Sequence, residues 1–457
     1  MTNMPPQEAN HDLCQYQDVL GQLPMLQGHT HLLYTFSLKK DVLRDEVAAA
    51  LENAINSIRT AFPWIAARVV NRGKTIGNSG LYRLVSCQPP DELLSVKDLS
   101  NTLPPYVEIK AMKAPMSAFD SAILSPVSSF PSRFDDAKEG QAHVVRVQAT
   151  FIQGGVLLDF AIHHNAADGT GLYGYIKLVA QLMRGESISD AALREGNKDR
   201  RNLVPLLSSD EPMLDHSHYI RLVMPPTAGV KKSEPMKYHM FRFTEANIRK
   251  LKGLATSPES VDIKFISSDD AICAFIWQRY IALRAHQFSR DTRSRFSRAM
   301  DGRKLVGLTR DYFGDTVHNV ATWLTFGELV DLPLCSIAAH LRRRLNESNT
   351  TYHLRSFASF IAKEPDETQI TYVGHFNPET DIGCTSVRGR SDVFPDFGIL
   401  GRPDFIRRPP TTPFPSLVAL LPGSLPGDCD IWTCLKGDDI AGLKNDATWK
   451  EFVEYIG

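Results

Sequence analysis

His163-His164-Asn165-Ala166-Ala167-Asp168-Gly169 follows an apolar run, Val156 to Ile162, and precedes a run of helical periodicity, Leu172 to Met183. The local order is strand, polar loop, helix. A loop at a strand end is where a rigid scaffold presents a side chain to a cleft. Neighbouring strand residues point to opposite faces, so His163 and His164 do not serve one site together. An imidazole near its ordinary pKa suits a general base at neutral pH. Asp168 is placed to brace the loop or a partner arginine. One histidine and Asp168 with no third ligand nearby make a poor metal site, and no metal is expected.

Working outward, Val144 to Ile152 reads as a strand, Gly154-Gly155 as a tight turn and Val156 to Ile162 as the hairpin partner. Further upstream, Leu32 to Leu38 is β-prone. Lys40 to Phe62 is helical, with Val42, Val47, Leu51, Ala54, Ile55 and Ile58 on one face, and Pro63 ends it. Trp64 to Val70 reads as the start of a strand. Residues 1–15 are polar and expected to be mobile. Residues 101–140, with prolines among serines, read as a long connection with little regular structure.

Downstream, residues 185–236 are charged and proline-containing, the best interdomain crossover. Phe241 to Leu254 offers a short strand and a helix, and Ser267-Ser268-Asp269 caps an apolar helix through Trp277 and Leu283. The last 130 residues alternate β-like runs with loops and end in a short helix near Trp449 to Tyr455. The chain reads as mixed α/β with two domains.

Composition narrows the function. The 457 residues carry 51 Lys plus Arg against 52 Asp plus Glu, a net charge of -1. Without a basic field, nucleic acid is not an expected partner. No apolar run approaches the ~20 residues of a membrane span. The N-terminus lacks the apolar core of a signal peptide, so a cytoplasmic protein is expected. Seven cysteines, an odd number with no CxxC pair, read as reduced and mostly buried thiols.

Gly169-Thr170-Gly171-Leu172-Tyr173-Gly174 spells GxGxxG, but residues 163–168 separate it from the strand and no acidic strand tip follows. A dinucleotide site is therefore not expected. GxSxG, Walker A and HExxH motifs are absent from the sequence as well.

HHNAADG resembles the HHxxxDG signature of the CoA-dependent acyltransferase superfamily. Far downstream, Asp396-Phe397-Gly398-Ile399-Leu400-Gly401 resembles DFGWG, the second signature of the BAHD acyltransferases. Arg402-Pro403 follows it, much as in the fungal trichothecene 3-O-acetyltransferase-like branch. Two motifs in the right order are more specific than either alone. AALENAINSIRTAFPWIAARV, QATFIQGGVLLDFAIHH, SSDDAICAFIWQRYIALR and AMDGRKL also resemble family elements, so the likeness spans most of the chain.

The resemblance implies two similar chloramphenicol-acetyltransferase-like α/β domains with a solvent channel between them. Residues 1–200 form the first, 201–236 a crossover linker and 237–457 the second. A segment near 370–395 is expected to pack with the first. It further implies a monomer that takes acyl-CoA, acetyl-CoA above all, and a hydroxylated terpenoid or polyketide. His164, four residues before Asp168, matches the catalytic histidine. Asp168 is a support that turns away and pairs with Arg303. Gly169, Asp396 and Gly398 are structural, Asp396 holding a loop that borders the CoA channel. Thr385 stands where the family carries an oxyanion donor, although Val387 replaces the usual tryptophan and Ile399-Leu400 that of DFGWG. Lys252, Thr385 and Ser386 are candidates for CoA contact.

Two alternatives share these motifs. One is a condensation-type enzyme whose thioester donor rides on a carrier protein. The other is a repurposed binder or cyclisation catalyst on the same fold, because fold alone does not fix function.

Overall fold

The computed structural model describes residues 13–87, 92–130, 132–135, 141–221, 235–256, 263–388 and 393–457. The expectation for residues 1–12 lies outside them. At the centre of one half, the strand Gly155–His163 is buried at every position, which is why Val156 to Ile162 is apolar apart from Asp159. It pairs antiparallel with Val145–Ile152 on one side and with His29–Ser37 on the other. The five-stranded sheet runs in the order Phe405–Arg407, His29–Ser37, Gly155–His163, Val145–Ile152, Leu94–Asp98.

The helix Arg44–Ala61 lays Val47, Leu51, Ala54, Ile55 and Ile58 on a core shared with the helix Gly169–Met183. Each such large side chain contributes about 1.5–3 kcal/mol by leaving water. Within this core the two helices cover one face of the sheet and fix the loop between strand and helix.

The other half holds a seven-stranded sheet. Its order is Val317–Thr325, Arg293–Asp301, Ile382–Ser386, Leu417–Pro422, Cys429–Leu435, Lys237–Phe243, Val453–Tyr455. The helix Ser268–Arg284 is buried almost all round against a second core containing Trp277, Phe296 and Ile431. Ser267 caps it in a reciprocal box with Asp270. No helix among the described residues is long and apolar enough to cross a membrane.

Several expectations are corrected. Ile382–Ser386 lies inside the second sheet, so 370–395 does not pass to the first half as one piece. The returning segment is later: Val393, Phe397 and Leu400 enter the first core, and Phe405–Arg407 pairs with His29–Ser37. Pro63–Ala66 is a 3-10 turn, and the strand begins only at Arg68. The segment 101–140 contains the helices Tyr106–Ala111 and Ser121–Leu124, seated because Tyr106 and Ile109 bury beside Leu157. Asp190–Gly196 is a helix inside the supposed crossover. The terminal helix ends at Phe452, where Val453–Tyr455 pairs with Lys237–Phe243.

Two of the GxGxxG glycines, Gly171 and Gly174, have a packing role against Phe313. A Cβ on Gly171 would stand 2.1 Å from Phe313 O, so this helix start presses on a loop of the other half. Gly171→Ala is expected to destabilise the protein by about 1–3 kcal/mol through overpacking. Thermal unfolding measures it, with the exposed Gly253→Ala, which meets nothing within 4 Å, as the control.

Candidate active site

The strand Gly155–His163 ends at His163, and the backbone turns before Asp168 caps the next helix. That turn sends the two histidines apart. His163 is buried: its Nδ1 accepts from Asn165 N at 3.3 Å, and its ring meets His29 edge-on. Burial, with the charges of His29 and His164, holds its pKa well below the usual value, so it stays neutral.

His164 turns instead into a cavity of about 190 Å³. Its backbone N donates to Gly28 O at 2.8 Å. Its Nδ1 stands 3.4 Å from Asp315 Oδ2, within ion-pair distance though not aligned as a formed hydrogen bond. Nε2 has no protein partner and remains accessible. Burial disfavours the charged ring, but the Asp315 carboxylate outweighs it and raises the His164 pKa above its ordinary value.

Asp315 itself is fully buried. Its Oδ1 accepts from Val317 N at 2.7 Å, and its own N donates to Asp18 Oδ2 at 3.1 Å. Burial pushes Asp18 up to about 7, against the pull of Arg200 at 3.6 Å. Arg200 donates to Ala166 O at 2.6 Å and lies over the Trp64 ring. The histidine loop is thus held from behind by Asp315, Asp18 and Arg200. The sequence singles out neither Asp18 nor Arg200. Gly314-Asp315 falls where the family often has GN, but that position implies no catalytic role; only the fold brings Asp315 to His164.

Asp168 points away from the cavity. Its two oxygens accept from Arg303 Nη1 at 2.8 Å and Nη2 at 2.9 Å, from Gly171 N at 2.9 Å and from Thr316 N at 3.1 Å. Arg303 is itself enclosed, donating further to Tyr312 O, Gly314 O, Asp301 and Thr316. Burial opposes its charge, yet Asp168 and Asp301 hold its pKa above the ordinary arginine value. This pair couples the histidine loop of one half to the DGR turn of the other.

A second cavity of about 770 Å³ meets the first at Gly169, Ala299, Val317, Cys384, Thr385 and Val387. Its wall is cationic. Arg298 and Arg342 are spent on Asp270 and Arg388 on Asp269, which leaves Lys252, Lys304 and Arg310 without carboxylate partners among the described residues. Lys252 sits near the Phe265 ring. Ser386 lines the same cavity, but its hydroxyl donates to Asp269 Oδ2 at 2.6 Å. Thr385, at the junction, has no hydrogen bond to its hydroxyl among the described residues.

Asp396 falls elsewhere, which corrects its placement at the channel. Asp396 Oδ1 accepts from Gly398 N at 2.8 Å, and its carbonyl accepts from Arg184. Gly398 has φ of 63°, and a Cβ there would meet Met183 O at 2.4 Å. The DFGILG turn therefore clamps the far end of the helix that Asp168 begins, and lines neither cavity.

All seven cysteines are free thiols, and Cys384 lies 3.8 Å from Cys273 sulfur to sulfur. Among the described residues no group of three or more His, Cys, Asp or Glu is arranged to hold a metal ion.

Known proteins resemble this chain in sequence and in fold. Residues 29–182 match the trichothecene 3-O-acetyltransferase-like N-terminal domain, and residues 127–449 match the Transferase family. The chain is 51% identical to the O-acetyltransferase epaC of Aspergillus niger, over 98% of each chain. It is 40% identical to the O-acyltransferase pigD of Monascus ruber, over 98% of this chain and 100% of that one. Among solved structures it is similar to Fusarium sporotrichioides TRI101 complexed with coenzyme A and T-2. The TM-score is 0.89 at 27% identity, covering 98% of this chain and 100% of that chain.

Proposed function

The chain belongs to the trichothecene 3-O-acetyltransferase-like acyltransferases of the Transferase family, and from that premise we propose how its residues transfer an acyl group. The donor is acyl-CoA, acetyl-CoA above all, and the acceptor is a hydroxyl of a terpenoid or polyketide. One observation carries the reading. His164 offers an unpartnered Nε2 to an apolar cavity, its Nδ1 lies against a buried carboxylate, and that cavity opens into a cationic one.

In the proposed mechanism the acceptor hydroxyl gives its proton to His164 Nε2 as its oxygen attacks the thioester carbonyl. The resulting tetrahedral oxyanion takes a hydrogen bond from the Thr385 hydroxyl at the cavity junction. Its collapse breaks the carbon–sulfur bond, and the imidazolium returns the proton to the departing thiolate. No covalent enzyme intermediate forms. Holding both substrates in joined cavities supplies proximity. In this scheme Lys252, Lys304 and Arg310, which line the outer cavity, meet the phosphates of CoA. Asp168 and Arg303 take no proton; they hold the loop. We take residues 1–200 and 237–457 as the two domains, and the enzyme as a cytoplasmic monomer.

Asp315 acts in this scheme as a positioning residue. Its carboxylate raises the His164 pKa, so the neutral base appears only as pH climbs past that raised value. Asp315→Asn removes the charge, and the acid limb of kcat/KM is expected to move to lower pH. The plateau should drop by about tenfold or more as the ring loses its orientation. A purely structural role for Asp315 would lower the plateau and leave the limb in place.

The donor assignment is tested by supplying acetyl-CoA and acetyl-phosphopantetheinyl carrier protein side by side. Transfer from acetyl-CoA alone is expected. Transfer only from the carrier would move the enzyme to the condensation type.

A further inference from the structure

The inner cavity holds one charge that acyl transfer does not use. Arg408 follows the returning strand Phe405–Arg407 and lines the same wall as His164. Its Nη2 donates to Phe130 O at 3.1 Å, and its guanidinium lies 5.6 Å from the Trp432 ring centre. These contacts fix the group, yet neither supplies a counter-charge. Among the described residues Arg408 has no carboxylate within ion-pair distance. No aspartate or glutamate lines the cavity, and Arg408 is the permanent charge in its wall. The nearby Asp159 favours the Arg408 charge from a distance but forms no ion pair with it. Its Oδ2 is held by His31 Nδ1 at 2.7 Å, and its Oδ1 has no hydrogen-bond partner among the described residues.

The preceding residue makes the contrast. Arg407 is saturated, with Nη1 3.0 Å from Asp430 and Nε donating to Ala114 O at 2.6 Å. Of two consecutive arginines, one is built into the frame and the other is left open. The Arg408 Nε is enclosed without a partner, whereas Nη1 has no protein partner and stays accessible.

A guanidinium without a directly paired carboxylate in an apolar wall is costly, and an anion arriving with the ligand lowers that cost. The planar fork of arginine matches carboxylate-like oxygens. Phe130 links the two ends of the site: its ring is 5.9 Å from the His164 ring, and its carbonyl holds Arg408. A ligand lying along Phe130 reaches both.

We infer that the acceptor carries, besides the hydroxyl that is acylated, an acidic oxygen function bound by Arg408. A carboxylate or the enolate of a 1,3-dicarbonyl has that chemistry. This rests on the acyl-transfer reading for the ligand's role, but its binding is measurable without turnover.

The test titrates the CoA-bound protein by calorimetry with 6-hydroxy-2-naphthoate and with its methyl ester. Wild type is expected to bind the acid at least ~10-fold tighter. Arg408→Met should erase the preference, and Arg408→Lys, which keeps the charge on a different shape, should retain part of it. Acetyl-CoA affinity, unchanged in both variants, reports that they are folded. Equal binding of acid and ester by wild type, a preference that survives Arg408→Met, or no binding of the acid overturns the inference. If the transferase reading itself is wrong, acetyl-CoA binding and discharge fail while the acid preference stands.

Discussion

The His164→Ala protein is expected to fold and bind acetyl-CoA as wild type does, yet to transfer the acyl group about 10³-fold more slowly. The argument begins with where the side chain sits. His164 carries 15% side-chain exposure on the wall of an open cavity, so its removal enlarges that cavity rather than leaving a sealed void. The backbone contact to Gly28 and the Arg200 contact to Ala166 do not involve the imidazole, and they keep the loop in place. What is lost is the proton acceptor for the attacking hydroxyl. The loss therefore falls on kcat, with KM for acetyl-CoA nearly unchanged. His163→Ala should behave in the opposite way, because that ring is packed against His29 and faces no substrate. It is expected to cost stability and spare the transfer step in the protein that remains folded.

The second large effect is thermodynamic. Arg303→Met should destabilise the enzyme by about 3–5 kcal/mol, because it strands the buried Asp168 carboxylate without its counter-charge. Asp168 retains only the Gly171 and Thr316 amides, and Arg303 leaves behind the carbonyls of Tyr312 and Gly314. Arg303→Lys keeps a charge but cannot fork across both oxygens, so it should recover part of the loss. Pairing Arg303→Met with Asp168→Asn should cost less than the two single changes added together. Calorimetric unfolding of the four proteins in a double-mutant cycle measures that coupling. Additive costs would mean that the two residues act separately and that the halves are joined elsewhere.

Much of the site was legible in the sequence where the information is local. The buried strand announced itself as an apolar run, Ser267 as a cap, and HHNAADG as a loop between strand and helix. Arg303 was reached through its DGR turn, and the structure places it on Asp168. The residues missed come from distant stretches with no local signature. Asp18 is in the first described segment, Asp315 in a loop and Arg200 just beyond a helix; only chain topology brings them behind His164. Arg408 was invisible for a different reason. Two adjacent arginines look alike in sequence, and only the positions of Asp430 and the cavity distinguish the paired one from the open one. Asp396 was placed at the channel because its motif is shared, whereas the turn it forms with Gly398 packs against Met183 at the helix end.

The central claim is that His164 is the base of an acyl-CoA-dependent transfer. Single-turnover mass spectrometry tests it most directly, with wild type and His164→Ala each mixed with acetyl-CoA and a pool of hydroxylated metabolites. The account predicts a product heavier by one acetyl group with wild type, and its near-complete absence with the variant while CoA binding persists. An acetylated product formed at the same rate by both proteins would contradict it.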